Sequence, residues 1–257
     1  MPFRVESTGR SDVGLVREKN EDSFLVAPDH GVYVVCDGMG GHVGGQVASQ
    51  TAVQTIFESM RDGSFESRHA DPLVSAILAA NRAVYQRARS DASLHNMGTT
   101  VVGIRHEGDL LHLCHVGDSR IYRLRQGRFD QVTKDHSLVN LYAENPILAA
   151  KFGPANENVI VRAVGLREEV EVDHRAVAME ANDMYLLCSD GLTDMVDDWI
   201  LKELLEDAQH GGSTLDECAD AMIRAALSNG GVDNVTALLL RVVETTSIFP
   251  RVEVPAE

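Results

Sequence analysis

The chain has 257 residues, of which 44% are hydrophobic and 24% are charged, and its formal net charge is −16. A chain of this length and apolar content can bury a full core without disulfides, which excludes the intrinsically disordered class for most of its length. The sequence has no cluster of lysine and arginine, and this argues against a nucleic-acid-binding protein.

The first half of the chain is predicted to form two helices and then a series of hairpins. Apolar residues at helical spacing predict helices over residues 42–60 and 71–89. Turn signals at Gly108-Asp109 and Gln126-Gly127 separate short apolar runs, a pattern that indicates antiparallel hairpins. The predicted hairpin strands cover residues 101–104, 110–116, 121–124 and 129–132.

The second half begins with residues 137–158, which lack a clean period and contain two X-Pro pairs. We expect a surface excursion with a short helix there. Further strands are predicted over residues 159–163, 170–177, 184–188 and 235–243, and further helices over 196–208 and 215–228. Thr214 and Glu217 form a capping box at the start of the last helix.

The order of these elements favours an α+β fold with antiparallel sheets, because strands are grouped and helices come in pairs. We predict a single catalytic domain over residues 1–245 and a C-terminal tail over 246–257 with little fixed structure.

The four cysteines indicate a reducing compartment. Cys36, Cys114, Cys188 and Cys218 form no CxxC pair, which disfavours a zinc site or a disulfide framework. The N-terminal segment MPFRVESTGR has no apolar signal-peptide core, and no stretch reaches the length of a membrane span. We therefore expect a cytoplasmic protein that does not insert into membranes.

The chemistry of the chain is indicated by a set of carboxylates next to apolar runs. Asp37, Asp118 and Asp190 follow such runs, Asp233 precedes one, and Glu21-Asp22 forms an early acidic pair. Converging carboxylates repel one another unless cations neutralise them, and hard oxygen ligands select Mg²⁺, Mn²⁺ or Ca²⁺. Two such ions can share a bridging hydroxide and clamp a phosphoryl group for in-line attack. Since Asp-Gly is also common turn chemistry, the residues alone leave a simple turn interpretation open for each aspartate.

A resemblance to a known family narrows these alternatives. The chain resembles the compact bacterial form of the type 2C, or PPM, metal-dependent protein phosphatases. The matching segments, in the family's order, are TGRSDVGLVREKNEDSF, VYVVCDGMGGHVGG, MGTTVV, HVGDSRIY, VTKDHS, IVRAVG, LLCSDGLTDMV and DNVTALLL. The resemblance implies a four-layer αββα sandwich of two antiparallel sheets flanked by helix pairs, with a flap near residues 137–158.

The resemblance also implies two Mn²⁺ or Mg²⁺ ions in the core site and a third, weaker ion of the kind seen in bacterial members. Asp37 should bridge the two ions and the Gly38 carbonyl should bind one of them. The remaining family ligands match Asp190 and Asp233 at the core, Asp118 with Asp190 at the third ion, and Glu21 and Asp22 at a metal or its water shell.

Two further residues are candidates for catalysis. Arg17 matches the family's phosphate-binding arginine, and its planar guanidinium suits two phosphate oxygens at once. Some members have a histidine directly after the Asp-Gly pair as a general acid, whereas this chain has Met39 there and its nearest histidine is His42. Three alternatives stay open: His42 donates the proton, it only begins a helix, or a metal-bound water donates instead.

The function implied by the resemblance is hydrolysis of phosphoserine and phosphothreonine in proteins, in opposition to a bacterial Ser/Thr kinase. Partners would be that kinase and its substrates, and we expect a monomer. Two alternatives are a different metal-dependent phosphoester hydrolase and a non-catalytic phosphoprotein-binding or regulatory domain on the same fold. The acidic composition disfavours polyanionic substrates such as nucleic acids.

Overall fold

The computed structural model describes residues 3–40, 43–63, 65, 71–145, 147–148, 151 and 159–245. The strands within these residues are β1 (Phe3–Asp12), β2 (Asp22–Ala27), β3 (Val32–Met39), β4 (Gly98–Thr99), β5 (Val101–Glu107), β6 (Leu110–Val116), β7 (Arg120–Arg125), β8 (Arg128–Gln131), β9 (Asp173–Ala178), β10 (Met184–Cys188) and β11 (Val235–Glu244). The α-helices are α1 (Gly44–Asp62), α2 (Pro72–Ser90), α3 (Leu138–Glu144), α4 (Asp190–Thr193), α5 (Asp198–Gln209) and α6 (Leu215–Ser228).

Two antiparallel sheets pack face to face, and helices cover the outer face of each. One sheet has the order β1-β11-β10-β7-β8, and the other has the order β2-β3-β5-β6-β9, with β4 paired to β3. One apolar layer fills the space between the sheets, around Tyr33, Ile104 and Leu238. A second layer joins the β3-containing sheet to α1 and α2, and a third joins the β11-containing sheet to α5 and α6. The predicted four-layer α+β sandwich is confirmed.

Polar side chains cap the N-termini of α2 and α6. Asp71 caps α2 by accepting a hydrogen bond from the Leu73 N–H at 2.8 Å. At α6 the predicted capping box is present, since the Glu217 N–H donates to the Thr214 hydroxyl and the Glu217 carboxylate accepts from the Thr214 N–H. Such caps satisfy amide groups that have no partner within the helix.

The structure corrects the predicted strands in two ways: one predicted strand is absent, and one observed strand was not predicted. Residues 159–163 form no strand: Ile160 makes only an isolated bridge to Ser137, outside either sheet. The neighbouring valines, Val159 and Val161, are exposed, so this apolar run is at the surface and does not form a buried strand. The sequence analysis also missed β1, because its sequence FRVESTGRSD is polar; it pairs along its whole length with the apolar β11 at a sheet edge.

Several expectations fall on residues that the structure does not describe, namely His42, much of the flap after Asn145, and the tail over 246–257. The single-domain assignment of residues 1–245 stays a prediction. All four cysteines are free and buried. None of the described helices has the length and apolar character needed to cross a membrane.

The topology brings the predicted carboxylates to one end of both sheets. In the β2–β3 pair, Asp22 lies opposite Asp37, so the start of β2 and the end of β3 coincide. In the other sheet, the end of β10 pairs with the start of β11, which places Asp190 near Asp233 in the fold. The loop with Asp118 leaves the end of β6 and leads into the start of β7, which pairs with the end of β10.

His136 supports the loop that carries Asp118. The Gly117 N–H donates to His136 Nδ1 at 3.0 Å, and the His136 N–H donates to the Gly117 carbonyl at 2.9 Å. The ring stacks on His115 with 4.6 Å between centroids. Burial, helped by His115 and Arg162, lowers the pKa of His136 to about 4. The neutral imidazole is therefore the form that the folded chain favours.

This lowered pKa predicts a loss of stability in acid. The unfolded histidine has a pKa of about 6.5, so below that pH the unfolded chain takes up a proton that the folded chain does not. The contribution is intact above about pH 6.5 and is lost as pH falls toward the folded value. We expect His136 to account for about 2 kcal/mol of the decrease in unfolding free energy between pH 7 and pH 5.

Urea unfolding of the metal-free protein at both pH values measures this decrease. His136→Gln should show a smaller decrease than the parent chain, while His95→Gln, at an exposed histidine, should keep the parent's decrease. An equal decrease in the parent and His136→Gln would contradict the assignment.

Candidate metal centre

A cleft of about 840 Å³ opens at the end of the sheets where the carboxylates converge. Its lining includes six residues singled out from the sequence: Arg17, Glu21, Asp37, Gly38, Asp190 and Asp233. The other lining residues are Glu18, Lys19, Met39, Gly40, Val43, Ile160 and Asn234. Residues that are more than 200 positions apart in the chain therefore share one surface.

Asp37 is held in place through its backbone by two threonines. The Asp37 N–H donates to the Thr100 hydroxyl at 3.0 Å. The Asp37 carbonyl accepts from the Thr99 hydroxyl and from the Thr100 N–H, each at 2.8 Å. Thr99 and Thr100, which belong to the matching segment MGTTVV, therefore position Asp37.

The carboxyl groups of Asp37 and Asp190 are close enough to hydrogen-bond when one is protonated. Burial raises the pKa of Asp37 well above its usual value, and the charges of Asp22 and Asp190 raise it further. Burial also raises the pKa of Asp190, with added effects from Asp194 and Asp233. Carboxylates in this arrangement resist ionisation, and a bound cation would relieve that resistance.

Asp233 pairs with the only arginine in the described lining of the cleft. Arg17 Nη2 lies 2.6 Å from Asp233 Oδ2, and the guanidinium remains about half exposed. The Asn234 N–H donates to the other carboxylate oxygen, Asp233 Oδ1, at 2.7 Å. Both carboxylate oxygens are therefore oriented, with the arginine at the open edge of the cleft.

Asn234 is a positioning residue that the sequence analysis missed. Its side-chain oxygen accepts from the Glu21 N–H at 2.8 Å. Its side-chain amide donates to the carbonyls of Val13 and Lys19, each at 2.9 Å. One side chain thus secures both ends of the loop that carries Arg17, and the segment DNVT was the available signal.

Gly38 lies where no side chain fits. A Cβ there would lie 2.1 Å from the Gly45 carbonyl oxygen and 2.6 Å from the Glu21 carbonyl oxygen. The Gly38 N–H also donates to that Glu21 carbonyl at 3.2 Å. Burial raises the pKa of the Glu21 carboxyl, although the charge of Arg17 opposes this rise.

Asp118 and Asp22 lie beside and behind the cleft lining. Asp22 Oδ2 accepts from the hydroxyls of Ser189 at 2.7 Å and Thr236 at 2.6 Å. Burial raises the pKa of both carboxyl groups to about 7, with a further rise from the charge of Asp190. Each keeps one buried oxygen, Oδ1, without a hydrogen-bond partner among the described residues.

These residues fit a site for hard divalent cations. Carboxylate oxygens and a glycine carbonyl converge, and two buried carboxylate oxygens have no partner within the described structure. Within the described part of the cleft lining there is no cysteine or histidine, the ligands that zinc would favour. The donor set matches Mg²⁺, Mn²⁺ or Ca²⁺.

The histidines of β6 lie away from this cleft. His112 and His115 are three residues apart on β6, so their side chains point to opposite faces of the strand. His112 Nδ1 lies 2.8 Å from an Asp71 oxygen, and His115 Nε2 lies 2.9 Å from the Lys134 carbonyl. Neither lines the cleft.

Comparisons with known proteins agree with this geometry. The family model described as "Protein phosphatase 2C" matches residues 16–228. The "Serine/threonine phosphatase stp" of Listeria monocytogenes is 35% identical over 239 residues, which are 90% of this chain and 93% of that protein. The "Serine/threonine protein phosphatase PstP" of Mycobacterium tuberculosis is 36% identical over 91% of this chain and 44% of its own length.

Solved structures give the same result. A crystal structure of the Mycobacterium tuberculosis phosphatase PstP/Ppp superposes with a TM-score of 0.81 at 36% identity, and it covers 94% of this chain and 99% of that one. A second, of the PstP catalytic domain "in complex with 2 Manganese ions", has a TM-score of 0.80 at 36% identity with the same coverage.

The convergence of carboxylates predicts that the metal-free protein gains stability when one of them is neutralised. Asp37→Asn replaces a repelled carboxyl by an amide that can donate to Asp190. We expect the thermal midpoint without metal at pH 8 to rise by roughly 3–6 °C, as a gain of about 1–2 kcal/mol implies for a chain of this size.

Calorimetry in a chelating buffer measures this shift. Asp109→Asn, at an exposed aspartate of a hairpin turn, should leave the midpoint unchanged. A thermal midpoint of Asp37→Asn equal to or below that of the parent chain would show that repulsion between the cleft carboxylates does not destabilise the metal-free protein.

Proposed function

This chain belongs to the protein phosphatase 2C family and is a metal-dependent protein serine/threonine phosphatase, and we propose that Asp37, Gly38, Asp190 and Asp233 hold the two metal ions of its core site. The observation that carries this assignment is that Asp37, Gly38, Asp190 and Asp233 line one cleft together with Arg17. Bound there, the ions would lower the pKa of a water molecule and neutralise charge on the phosphoryl group.

Each core residue has a distinct part in the proposal. Asp37 would hold both ions, which is supported by its fixed backbone and by the closeness of its carboxyl to that of Asp190. Asp118 would hold a third ion with Asp190, which is supported by its buried oxygen that has no partner among the described residues. Glu21 and Asp22 would hold a metal or its water shell at the start of β2.

Arg17 binds the phosphate of the substrate in this proposal. Its guanidinium lines the cleft, stays about half exposed, and is oriented by Asp233. A planar guanidinium can donate to two phosphate oxygens at once. When cations bind the carboxylate of Asp233, the competition for the arginine weakens and its donors become available to the phosphate.

The proton for the leaving alkoxide has two candidate sources. His42 lies outside the described residues, and the described lining of the cleft holds no other histidine. His42 and a metal-bound water therefore both remain as candidates within the proposal. Substitution of His42 removes only the first of these two proton donors.

The proposal extends to the setting of the enzyme. Its substrates are phosphorylated proteins. The relatives are named serine/threonine phosphatases, and those names imply such substrates for them. Opposition to a bacterial Ser/Thr kinase and action as a monomer are part of the proposal. Location in the cytoplasm is supported by four free, buried thiols, the state expected in a reducing compartment.

Hydrolysis of a phosphothreonine peptide with and without Mn²⁺ tests the proposed site. We expect phosphate release that requires the metal and falls at least a thousandfold in Asp190→Ala, because one removed ligand disrupts the core. Asp109→Ala is the matched control and should retain full activity. Metal-independent release by the parent chain, or full activity of Asp190→Ala, would refute the assignment.

The hydroxyl of Thr100 provides a second test that does not depend on turnover. It accepts from the Asp37 N–H and lies 2.6 Å from the Ser119 hydroxyl, in the loop of Asp118. Thr100→Val keeps the shape but leaves that N–H unpaired, and outer-shell changes of this kind typically weaken metal binding about 10–100-fold. We expect at least a tenfold weaker Mn²⁺ affinity by titration calorimetry.

The control for this test is Thr51→Val, which removes a hydroxyl bonded to the Val47 carbonyl within α1. It should bind Mn²⁺ as the parent chain does. A folded Thr100→Val protein with unchanged Mn²⁺ affinity would show that the threonine does not position Asp37.

A further inference from the structure

Large hydrophobic side chains are concentrated around the catalytic cleft. Among the described residues, twelve such side chains are exposed, on a chain with a net charge of −16. Six of the twelve lie in or next to segments that line the cleft, and we call them the apolar rim: Leu15, Val16, Val43, Val159, Val161 and Val232. Contiguous exposed apolar surface on a soluble domain marks interaction sites more often than single exposed residues do.

One side of the apolar rim is built around the pair Arg17–Asp233. Leu15 and Val16 directly precede the arginine and are 67% and 65% exposed, and Val232 directly precedes the aspartate. The Leu15 N–H donates to the Gly231 carbonyl at 2.7 Å, so the two segments run side by side. The apolar side chains therefore adjoin the group that binds phosphate.

The rest of the apolar rim is formed by Val43 and by the segment around Ile160. Val43 and Ile160 both line the cleft. The neighbours of Ile160 are held by backbone hydrogen bonds, from the Leu138 N–H to the Val159 carbonyl and from the Val161 N–H to the His136 carbonyl, each at 2.8 Å. Val159 and Val161 are thus kept at the surface by a defined backbone.

We propose that the apolar rim binds apolar side chains that flank the phosphorylated residue of a protein substrate. This inference rests on the proposed function, and it adds the substrate class. The cleft is lined by carboxylates and accepts one phosphorylated side chain, while the rim provides apolar surface in and next to the segments that line it. A peptide with acidic residues beside the phosphothreonine brings negative charge to a protein that is itself negatively charged. A peptide with apolar residues there removes apolar surface from water when it binds.

Two phosphothreonine peptides of equal length test the proposal, one with leucine and valine and one with glutamate on both sides of the phosphothreonine. With the Mn²⁺-loaded parent chain we expect at least a tenfold higher kcat/KM for the apolar peptide, mainly through KM. The double variant Leu15→Ser/Val16→Ser should reduce this preference to about twofold or less. p-Nitrophenyl phosphate, which has no flanking residues, should be hydrolysed by the double variant within about twofold of the parent rate.

Leu110→Ser is the matched control. Leu110 is 41% exposed and lies at the start of β6, whose other end leads to Asp118. The strand has 7 residues, which span about 20 Å. Leu110→Ser should keep the parent's preference for the apolar peptide. Val232→Ser should reduce that preference, as a second test independent of the double variant.

The outcomes separate this inference from the proposed function. A parent chain that hydrolyses p-nitrophenyl phosphate and both peptides with equal kcat/KM would overturn the apolar rim and leave the phosphatase site standing. A preference that survives in both the double variant and Val232→Ser would overturn it as well. A folded, Mn²⁺-loaded parent chain that hydrolyses none of the three substrates would overturn the proposed site itself.

Discussion

Mutual repulsion between carboxylates is the constraint around which this end of the molecule is built. Asp37, Asp190 and Asp233 meet in one cleft, and burial raises the pKa of the first two. Left to itself such a cluster would move apart, because like charges a few ångströms apart in a poorly solvated site repel strongly. The surrounding hydrogen bonds fix the backbone of Asp37 and orient the carboxylate of Asp233, which also pairs with Arg17.

The supporting interactions cross between segments that are distant in the chain. Thr100 joins the end of β3 to the loop of Asp118 through Ser119, and Asn234 joins the start of β11 to the loop of Arg17. Asp22 reaches from one sheet to Ser189 and Thr236 of the other. The apolar layer between the sheets holds them against each other, and the site lies where their ends coincide. Stability of the layered core thus offsets the strain that function imposes at its edge.

A cleft that holds phosphate and metal by charge alone would not distinguish one phosphorylated protein from another. The carboxylates and Arg17 recognise features that every phosphoserine or phosphothreonine shares. Discrimination has to come from the surface around them. In this chain that surface is apolar next to Arg17 and Asp233 and again beside Ile160, while the chain as a whole is strongly acidic.

The sequence by itself determined the elements whose signals are local. Capping at Thr214 and Glu217, the hairpin turns and the apolar runs of β6 and β10 depend on neighbouring residues, and these predictions were confirmed. The family resemblance then indicated the fold and the carboxylates that the structure brings to one cleft. The predicted roles of these residues as ligands stay predictions.

Only the tertiary structure decided the features that depend on partners far away in the chain. The polar strand β1 exists because β11 supplies its hydrogen bonds and the apolar surface it covers. Val159 and Val161 form no strand, and Ile160 between them makes only an isolated bridge to Ser137 within the described residues. The roles of Thr100 and Asn234 likewise appear only when Asp37 and the Arg17 loop are beside them. Local patterns encode propensity and periodicity, but the free energy of a pairing or of a buried hydrogen bond depends on what the fold brings alongside.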